Sequence, residues 1–159
     1  MINLESYVCG KWHAGTGEPR LLYNPATEDS MAACDSTGVD FAAAVVHARE
    51  HGGPALRELG FTQRAALLKQ VSAAIYAERE ELIELSIANG GNTRGDAKFD
   101  IDGATGTLSA YASFGKRLGD GNQMPDGEGI QLGRTARFWG QHHWVTRPGI
   151  SVHINAFNF

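Results

Sequence analysis

Two short motifs near the start of the chain have residue types and spacings that could bind a ligand. Gly15, Thr16 and Gly17 could cradle a phosphate, but position 20 is an arginine instead of a third glycine, and no helix is predicted to follow. His47 and His51 lie four residues apart on a predicted helix, a spacing that could hold a metal ion. No Glu or Cys completes a ligand set, so a solvated helix face is favoured. We predict neither a phosphate loop nor a metal site.

Two pairs of titratable residues occur later in the chain. Asp100 and Asp102 flank Ile101, and paired carboxylates can carry acid–base chemistry. Helix positions two apart do not face each other, so a structural or solvated role is favoured for both. His142 and His143 would point to opposite faces of a strand and would make a poor chelate.

The composition is that of an ordinary soluble domain, with 159 residues, a formal net charge of -4 and two cysteines. No Lys/Arg cluster stands out, so no nucleic-acid partner is predicted. No apolar run approaches the roughly 18 residues that a membrane span needs, and residues 1–6 lack the features of a signal peptide. Cys9 and Cys34 have no metal-type spacing, which fits a reduced, cytoplasmic setting.

The elements that must position any site predict an α/β chain. Residues 7–12 read as one strand, in which Cys9 would be a small buried residue, and Pro25 fixes a turn after a second strand. Asp40 and Thr62 are expected to cap helices, and residues 52–54 (Gly-Gly-Pro) are expected to end the first of them. The predicted helices span residues 41–50, 62–79, 80–88 and 96–117.

Periodicity predicts which helix faces are buried. Gly103 and Gly106 lie one turn apart, and each costs about 1 kcal/mol of helix propensity, so close helix packing is expected there. Arg64, Lys69, Glu78 and Arg79 are expected to face solvent. The predicted buried positions are Leu68, Val71, Ile75, Leu82, Leu85, Ile101, Leu108, Tyr111 and either Gly115 or Ala112.

Residues 131–146 read as two antiparallel strands around Gly140, preceded by a mobile loop over residues 120–129. Aromatic side chains such as Trp139 and Trp144 occur along these strands, and a two-stranded arm is not stable alone. We therefore predict a subunit contact, and a homo-oligomer formed through residues 131–147.

The last residues, 149–159, begin after Pro148 and alternate apolar and polar side chains through Ile150, Val152 and Ile154, the period of a strand. An apolar strand without a partner at a chain terminus is unusual. The expectation is that the sequence breaks off at the end of the first strand of a larger domain. The expected segments are residues 1–130 with strands and helices, 131–147 with the arm, and 148–159 with that strand.

The order of motifs resembles the aldehyde dehydrogenase superfamily over essentially the whole chain. Gly10-Lys11-Trp12 matches the family's Gly-x-Trp strand, and residues 24–27 match its Asn-Pro-Ala-Thr turn. Residues 64–68 resemble its Arg-x-x-x-Leu helix, and residues 156–159 resemble its Pro-Trp-Asn-Phe motif with Ala and Phe replacing Pro and Trp. That replacement, with residues 100–103, is similar to the branch acting on CoA-thioester semialdehydes in phenylacetate and benzoyl-CoA degradation.

The resemblance implies the N-terminal part of the aldehyde dehydrogenase fold: a helical layer, an oligomerisation arm and the first strand of a dinucleotide-binding sheet. It implies oxidation of an aldehyde by NAD or NADP through a cysteine thioester. Asn158 matches the oxyanion-hole asparagine, whose amide would stabilise the developing negative charge. Residues lining the nicotinamide side of the cofactor would be Ile154, Asn155, Ala156 and Phe157.

The family's nucleophilic Cys and general-base Glu lie later than residue 159, and neither Cys9 nor Cys34 matches the nucleophile. The resemblance therefore implies that this chain alone is inactive. The alternative is a catalytically inactive module that acts in subunit assembly by strand addition. A third reading, an independent small binding domain, is disfavoured by the uncovered strand at residues 150–154.

Overall fold

The structure, a computed structural model, describes residues 1–155. The order of its elements is the predicted α/β order: short strands, then a helical layer, then a late hairpin. The strands and helices are β1 Ile2–Leu4, β2 Ser6–Val8, β3 Lys11–His13, β4 Arg20–Tyr23, β5 Ser30–Cys34, α1 Phe41–His47, α2 Gly53–Glu58, α3 Phe61–Ala77, α4 Arg79–Gly90, α5 Arg94–Leu118, β6 Met124–Gln131 and β7 Trp139–Trp144.

Strand β5 is the centre of a three-stranded sheet, with β1 parallel on one side and β4 antiparallel on the other. The turn between β4 and β5 is the predicted one at Pro25. Its geometry is fixed by Asn24, whose side-chain Oδ1 accepts a hydrogen bond from the N–H of Ala26 at 2.9 Å. This is the local side-chain-to-backbone bond by which asparagine favours turns.

The predicted single strand at residues 7–12 is wrong, because the chain folds back within it. Val8 of β2 pairs with Lys11 of β3, and the two residues between them have positive φ angles of 53° at Cys9 and 79° at Gly10. Two positive φ values are what the tight two-residue hairpin turn requires. Cys9 therefore lies exposed at the turn and is not a buried residue of a strand.

The helix starts are partly as predicted. Asp40 caps α1, where its carboxylate accepts a hydrogen bond from the N–H of Ala43 at 2.8 Å. Thr62 does not cap α3, because the helix begins one residue earlier and its N-cap is Gly60. The N–H of Gly60 donates to the side chain of Gln63 at 3.0 Å, which satisfies one of the groups that a helix start leaves free.

Residues 52–54 do not end the first helix, contrary to the prediction. The chain stays helical through a π-helical turn at Ala48–Gly52 and continues as α2. Pro54 lies in the first turn of α2, directly after the π-helical turn, which is where the regular α-helical hydrogen-bond pattern is already interrupted. The next predicted stop is confirmed: α4 ends at Gly91, which has a φ of 68°.

Helices α3 and α5 pack in opposite directions along a seam of small residues. The buried positions on α3 are Ala65 and Ser72, and those on α5 are Ala97, Thr105 and Ala112. Several of them are seven residues apart, which keeps them on one face of a helix. We call this contact the α3–α5 seam.

The seam differs from the predicted apolar faces. Val71 and Tyr111 are 49% and 62% exposed, and on α4 Leu85 is 45% exposed while Ile83 is fully buried. Small side chains let the helix backbones approach closely, so larger neighbours are displaced to the flanks. The buried residue at this point of α3 is Ser72 and not the predicted Val71. The hydroxyl of Ser72 donates to the carbonyl of Thr105 at 2.9 Å.

Close packing occurs at Gly115 and not at the predicted Gly103 and Gly106. A Cβ on Gly115 would lie 3.1 Å from the Cβ of Ala65 and 3.2 Å from a backbone oxygen of α3, whereas a Cβ on Gly103 or Gly106 would meet nothing within 4 Å. The helix-propensity cost of Gly103 and Gly106 is therefore not offset by packing within the described residues.

An ion pair closes one end of the α3–α5 seam and corrects the prediction that Arg79 faces solvent. Its guanidinium is 17% exposed and donates two hydrogen bonds to Asp102, Nε to Oδ1 at 2.6 Å and Nη2 to Oδ2 at 2.9 Å. Glu80 contacts both Arg79 and Arg94, which extends the cluster toward α5. Of the structural and solvated roles that the sequence left open for Asp102, the structure shows the structural one.

Arg64 is also less exposed than predicted. Its side chain donates to the carbonyl of Leu59 at 3.1 Å, and the guanidinium carbon lies 5.7 Å from the ring centre of Phe61. The guanidinium of Arg64 thus packs against the first residues of α3.

The late hairpin is longer than the predicted arm. Strand β6 occupies residues 124–131, where a loop was expected, and Gly140 lies within β7 instead of at the turn. Met124 pairs with Trp144 and Gln131 with Trp139, with an irregular register between Asp126 and Ile130. The glycine- and proline-rich composition of residues 124–129 is accommodated by that irregularity.

The strand predicted over Ile150–Ile154 is not formed, since residues 150–155 have no regular secondary structure. Val152 is 79% exposed and Ile154 is 90% exposed. A strand is held by hydrogen bonds to a neighbour, and no strand of the described residues pairs with this segment.

The glycines of α5 give a paired test of the seam. We expect Gly103→Ala to raise the free energy of unfolding by about 0.5–1 kcal/mol, because alanine is the better helix former and its methyl meets open space. Gly115→Val should lower it by about 1–3 kcal/mol, because the added atoms press on Ala65 and the α3 backbone. Urea unfolding followed by circular dichroism measures both. Equal effects of the two substitutions would contradict the close approach at Gly115.

The ion pair predicts a pH dependence of stability. The hydrogen bonds from Arg79 hold the pKa of Asp102 below its ordinary value of 3.8. A lowered carboxylate pKa contributes stability that is present above the ordinary value and is lost as the pH falls through the lowered one. Asp102→Asn should therefore melt below the unmodified chain at pH 7, and the difference should shrink as the pH falls below 3.8.

The matched control is Asp100→Asn, because Asp100 lies two residues away on the same helix and is exposed. We expect it to leave the melting temperature nearly unchanged at both pH values. A gap between Asp102→Asn and the unmodified chain that stays constant down to pH 2 would exclude the ion pair as the source of stability. Because the carboxylate of Asp102 is partly exposed, dissolved ions can screen its attraction to Arg79. Added salt should therefore also reduce the difference in melting temperature between Asp102→Asn and the unmodified chain.

Candidate functional site

The candidate residues near the end of the chain do not form a site within the described residues. Ile154 and Asn155 lie in an exposed segment without regular structure. Ala156, Phe157 and Asn158 lie outside the described residues.

A contact that sequence analysis did not identify lies in the same segment. The hydroxyl of Ser151 is 3.0 Å from Nε2 of His153, a distance suitable for a nucleophile and its base. Both side chains are exposed, and no hydrogen bond to a carboxylate orients this histidine in the part of the chain that the structure describes. The contact alone therefore supports no nucleophilic site.

The Gly15-Thr16-Gly17 loop is occupied by a carboxylate from its own chain. Asp35 accepts hydrogen bonds from the N–H of Thr37 at 2.9 Å, the hydroxyl of Thr37 at 2.7 Å and the N–H of Gly17 at 2.5 Å. These donors, led by the amide of Thr37, hold the pKa of Asp35 below its ordinary value of 3.8. The N–H of Gly17 is thus already used by an internal anion.

The two helical histidines are exposed and lie side by side, with ring centres 4.9 Å apart. Over residues 1–155, no cluster of three or more potential metal-ligating side chains is present. The same residues include no helix that is long and apolar enough to cross a membrane.

The described residues do form a groove along the α3–α5 seam, which sequence analysis missed. It has two ends that share Lys69 and Ser109. One end, with a volume of about 450 Å³, is called the lysine end and is lined by Thr62, Ala65, Ala66, Lys69, Ser109, Ala112, Ser113 and Lys116. The other, the ion-pair end, includes Ser72, Ala73, Tyr76, Arg79, Lys98, Asp102, Thr105 and Gly106.

The two ends differ in how their charges are paired. The lysine end has two ammonium groups and no carboxylate among its lining residues. At the ion-pair end Asp102 is hydrogen-bonded to Arg79 and raises the pKa of that guanidinium, while Lys98 and the shared Lys69 are the other cations of the lining. The signal available in the sequence was the heptad spacing of small residues on both helices, which marks where two helices leave a shallow floor.

The described residues do not form a dinucleotide site by themselves. Such a site needs the end of a paired strand or a free loop of backbone amides. Residues 150–155 form no strand, and the amide of Gly17 is already bonded to Asp35.

Comparison with known proteins identifies the family. The family profile described as "Aldehyde dehydrogenase family" matches residues 12–159 of the chain. The chain is 41% identical over 158 residues to the 3,4-dehydroadipyl-CoA semialdehyde dehydrogenase of Aromatoleum evansii, covering 99% of this chain and 31% of that protein. It is 27% identical over 119 residues to the NADP(+) succinate-semialdehyde dehydrogenase GabD of Escherichia coli K12, covering 74% and 25%.

A solved structure has the same fold. The crystal structure of aldehyde dehydrogenase 21 from Physcomitrella patens, in complex with the reaction product succinate, superposes with a TM-score of 0.71 at 23% identity. The match covers 86% of this chain and 27% of that one. The chain thus spans about a third or less of the length of the relatives it matches. It belongs to the aldehyde dehydrogenase family, in which it corresponds to an N-terminal α/β part of the fold.

Proposed function

We propose that this chain is the N-terminal portion of an NAD(P)-dependent aldehyde dehydrogenase that oxidises an aldehyde to the carboxylic acid. The substrate we propose is a CoA-linked semialdehyde from aromatic ring degradation, such as phenylacetate catabolism, in the cytoplasm. The observation that carries the proposal is the 41% identity along nearly the whole chain to a dehydrogenase named for a CoA-linked semialdehyde. Whether NAD or NADP is used is left open, and the relative GabD is named for NADP(+).

The chain would contribute residues that position the cofactor and one side chain, that of Asn158, that contacts the reacting aldehyde. We propose that the amide of Asn158 donates a hydrogen bond to the aldehyde oxygen as negative charge develops on it. Residues 154–157 would line the nicotinamide side of the cofactor when it is bound, and that cofactor supplies the hydride acceptor. An uncharged amide suits this task, since it stabilises the oxyanion without holding the acid product by a full charge.

The same proposal holds that residues 1–159 alone do not oxidise aldehydes. Cys9 lies at the tip of the β2–β3 hairpin, and Cys34 is half-buried in β5. In the part of the chain that the structure describes, no hydrogen bond joins either thiol to a histidine or another base. A thiol without such a partner is a poor nucleophile for an aldehyde.

The test uses the native gene product purified from its own cells, with its intact mass measured first. If the mass is several times the 17.1 kDa of this chain, we expect aldehyde-dependent NAD(P)H formation, and we expect Asn158→Ala to lower kcat by about 100- to 1,000-fold. Asn89→Ala, an exposed position on α4, is the control and should leave kcat unchanged. Equal rates for both variants would exclude the oxyanion role of Asn158.

The second candidate is a catalytically inactive module that acts in subunit assembly through a homo-oligomer or an intact dehydrogenase subunit. It is favoured by the β6–β7 arm, which pairs with itself and leaves Phe138, Trp139 and Trp144 between 57% and 61% exposed. Exposed aromatic side chains on a two-stranded hairpin are typical of an unoccupied contact surface. A native mass of 17.1 kDa with co-purification of a longer dehydrogenase would favour this candidate over the first.

A further inference from the structure

We propose that the lysine end of the α3–α5 groove binds the phosphate groups of a coenzyme A thioester. The inference rests on the proposed function and names how its substrate class would be recognised away from the reacting atoms. It is carried by three observations on the groove: its charge, the hydroxyl donor of Thr62 and its shallow floor.

The charge of the lysine end is positive in a chain that is negative as a whole. Lys69 of α3 and Lys116 of α5 line it from opposite helices, and both are exposed. No carboxylate belongs to its lining, whereas the formal charge of the chain is -4. A phosphate would therefore find two ammonium groups without a competing internal anion, unlike the loop at Gly17, where Asp35 is bonded already.

One hydroxyl group adds a directional donor beside the two lysines. Ser109, Ser113 and Thr62 belong to the lining. The hydroxyl of Ser113 donates to the carbonyl of Ser109 at 3.0 Å, and because the Ser72 hydroxyl donates to Thr105, the 3.0 Å contact between Ser72 and Ser109 uses the proton of Ser109. Within the described residues, the hydroxyl of Thr62 is the one in this lining whose proton is left for a ligand. Hydroxyls and ammonium groups are the usual side-chain partners of phosphate oxygens.

The register of the seam brings the two lysines to the same stretch of the groove. Gly115 faces Ala65 and Ser109 faces Ser72, so Lys69 lies opposite Ala112. Lys116 is one helix turn further along, about 6 Å at 1.5 Å per residue. The ammonium groups of Lys69 and Lys116 therefore lie on the two sides of the same part of the groove, where one ligand could contact both.

The floor explains why a ligand could approach. Ala65 and Ala112 are buried beneath the rim, and Ala66 is the remaining apolar residue of the lining. Small floor residues leave about 450 Å³ between the rims. The groove continues past Ser109 toward Tyr76 and Lys98 at the ion-pair end, so an elongated molecule has room beyond its phosphates.

Phosphate groups could come from two sources, coenzyme A or NADP. We assign coenzyme A, because the relative with 41% identity is named for a CoA-linked substrate. The experiment separates the two sources by using each as a probe.

The experiment is isothermal titration calorimetry of the purified chain with coenzyme A, NADP and inorganic phosphate, in low salt with a reductant that keeps thiols reduced. We expect coenzyme A to bind at least about tenfold more tightly than inorganic phosphate, and Lys69→Ala and Lys116→Ala each to weaken it by about five- to tenfold. Lys11→Ala, an exposed lysine on β3, is the matched control and should change nothing. Circular dichroism shows that each variant is folded.

Three outcomes would overturn the assignment. The first is coenzyme A binding no more tightly than inorganic phosphate. The second is Lys11→Ala weakening coenzyme A binding as much as the groove variants do. The third is NADP binding more tightly than coenzyme A with the same dependence on Lys69 and Lys116. The assay contains no aldehyde and requires no turnover. It can therefore fail while the native product oxidises aldehydes, and it can succeed where aldehyde oxidation is absent.

Discussion

The close approach of α3 and α5 is the constraint on which the helical layer depends. It requires small side chains at Ala65, Ala112 and Gly115, since any larger group would separate the backbones. Separation would also break the buried hydrogen bond of Ser72 and the two bonds between Arg79 and Asp102. Apolar contact, hydrogen bonding and ion pairing along the seam are thus not independent contributions.

The same contact organises what lies around it. Helix α4 is anchored by Ile83, the one large side chain that is completely buried among the described residues. The end of α4 lies against the turn between β4 and β5, where a Cβ on Gly91 would be 3.0 Å from Pro25. The groove also exists because of the seam, since the side chains that permit close packing are too short to fill the space above them.

Features determined by local chemistry were predictable from the sequence. The N-cap at Asp40, the turn at Pro25 and the helix end at Gly91 each follow from one residue type and its preferred backbone. The β2–β3 turn was missed because Cys9-Gly10 is not among the dipeptides that usually indicate such a turn, although glycine supplies one of its two positive φ angles.

Features determined by packing were not predictable in the same way. The apolar side chain of Val71 predicted that this residue is buried. The short distance between α3 and α5 leaves room only for a small side chain, so Ser72 is buried instead. The Arg79–Asp102 pair joins residues from separate helices, and the charge of Arg79 indicated solvent exposure. The predicted strand at residues 150–154 had the right alternation, but alternation cannot supply the partner strand that hydrogen bonding requires. For the site, only the family resemblance pointed to Asn158, and the groove depends on an inter-helix register that sequence patterns do not encode.

The parallel pairing of β1 with β5 has a consequence for the order in which the chain folds. Residues 5–29 must be looped out before Ile2 can meet Ala32, whereas β4 and β5 are joined by a short turn and the helices follow one another along the chain. Loop closure costs entropy before the pair gains any hydrogen bonds, so β1 should join the sheet after β4 and β5 have paired. Pulsed hydrogen exchange that protected the amides of β1 before those of β4 would show the opposite order.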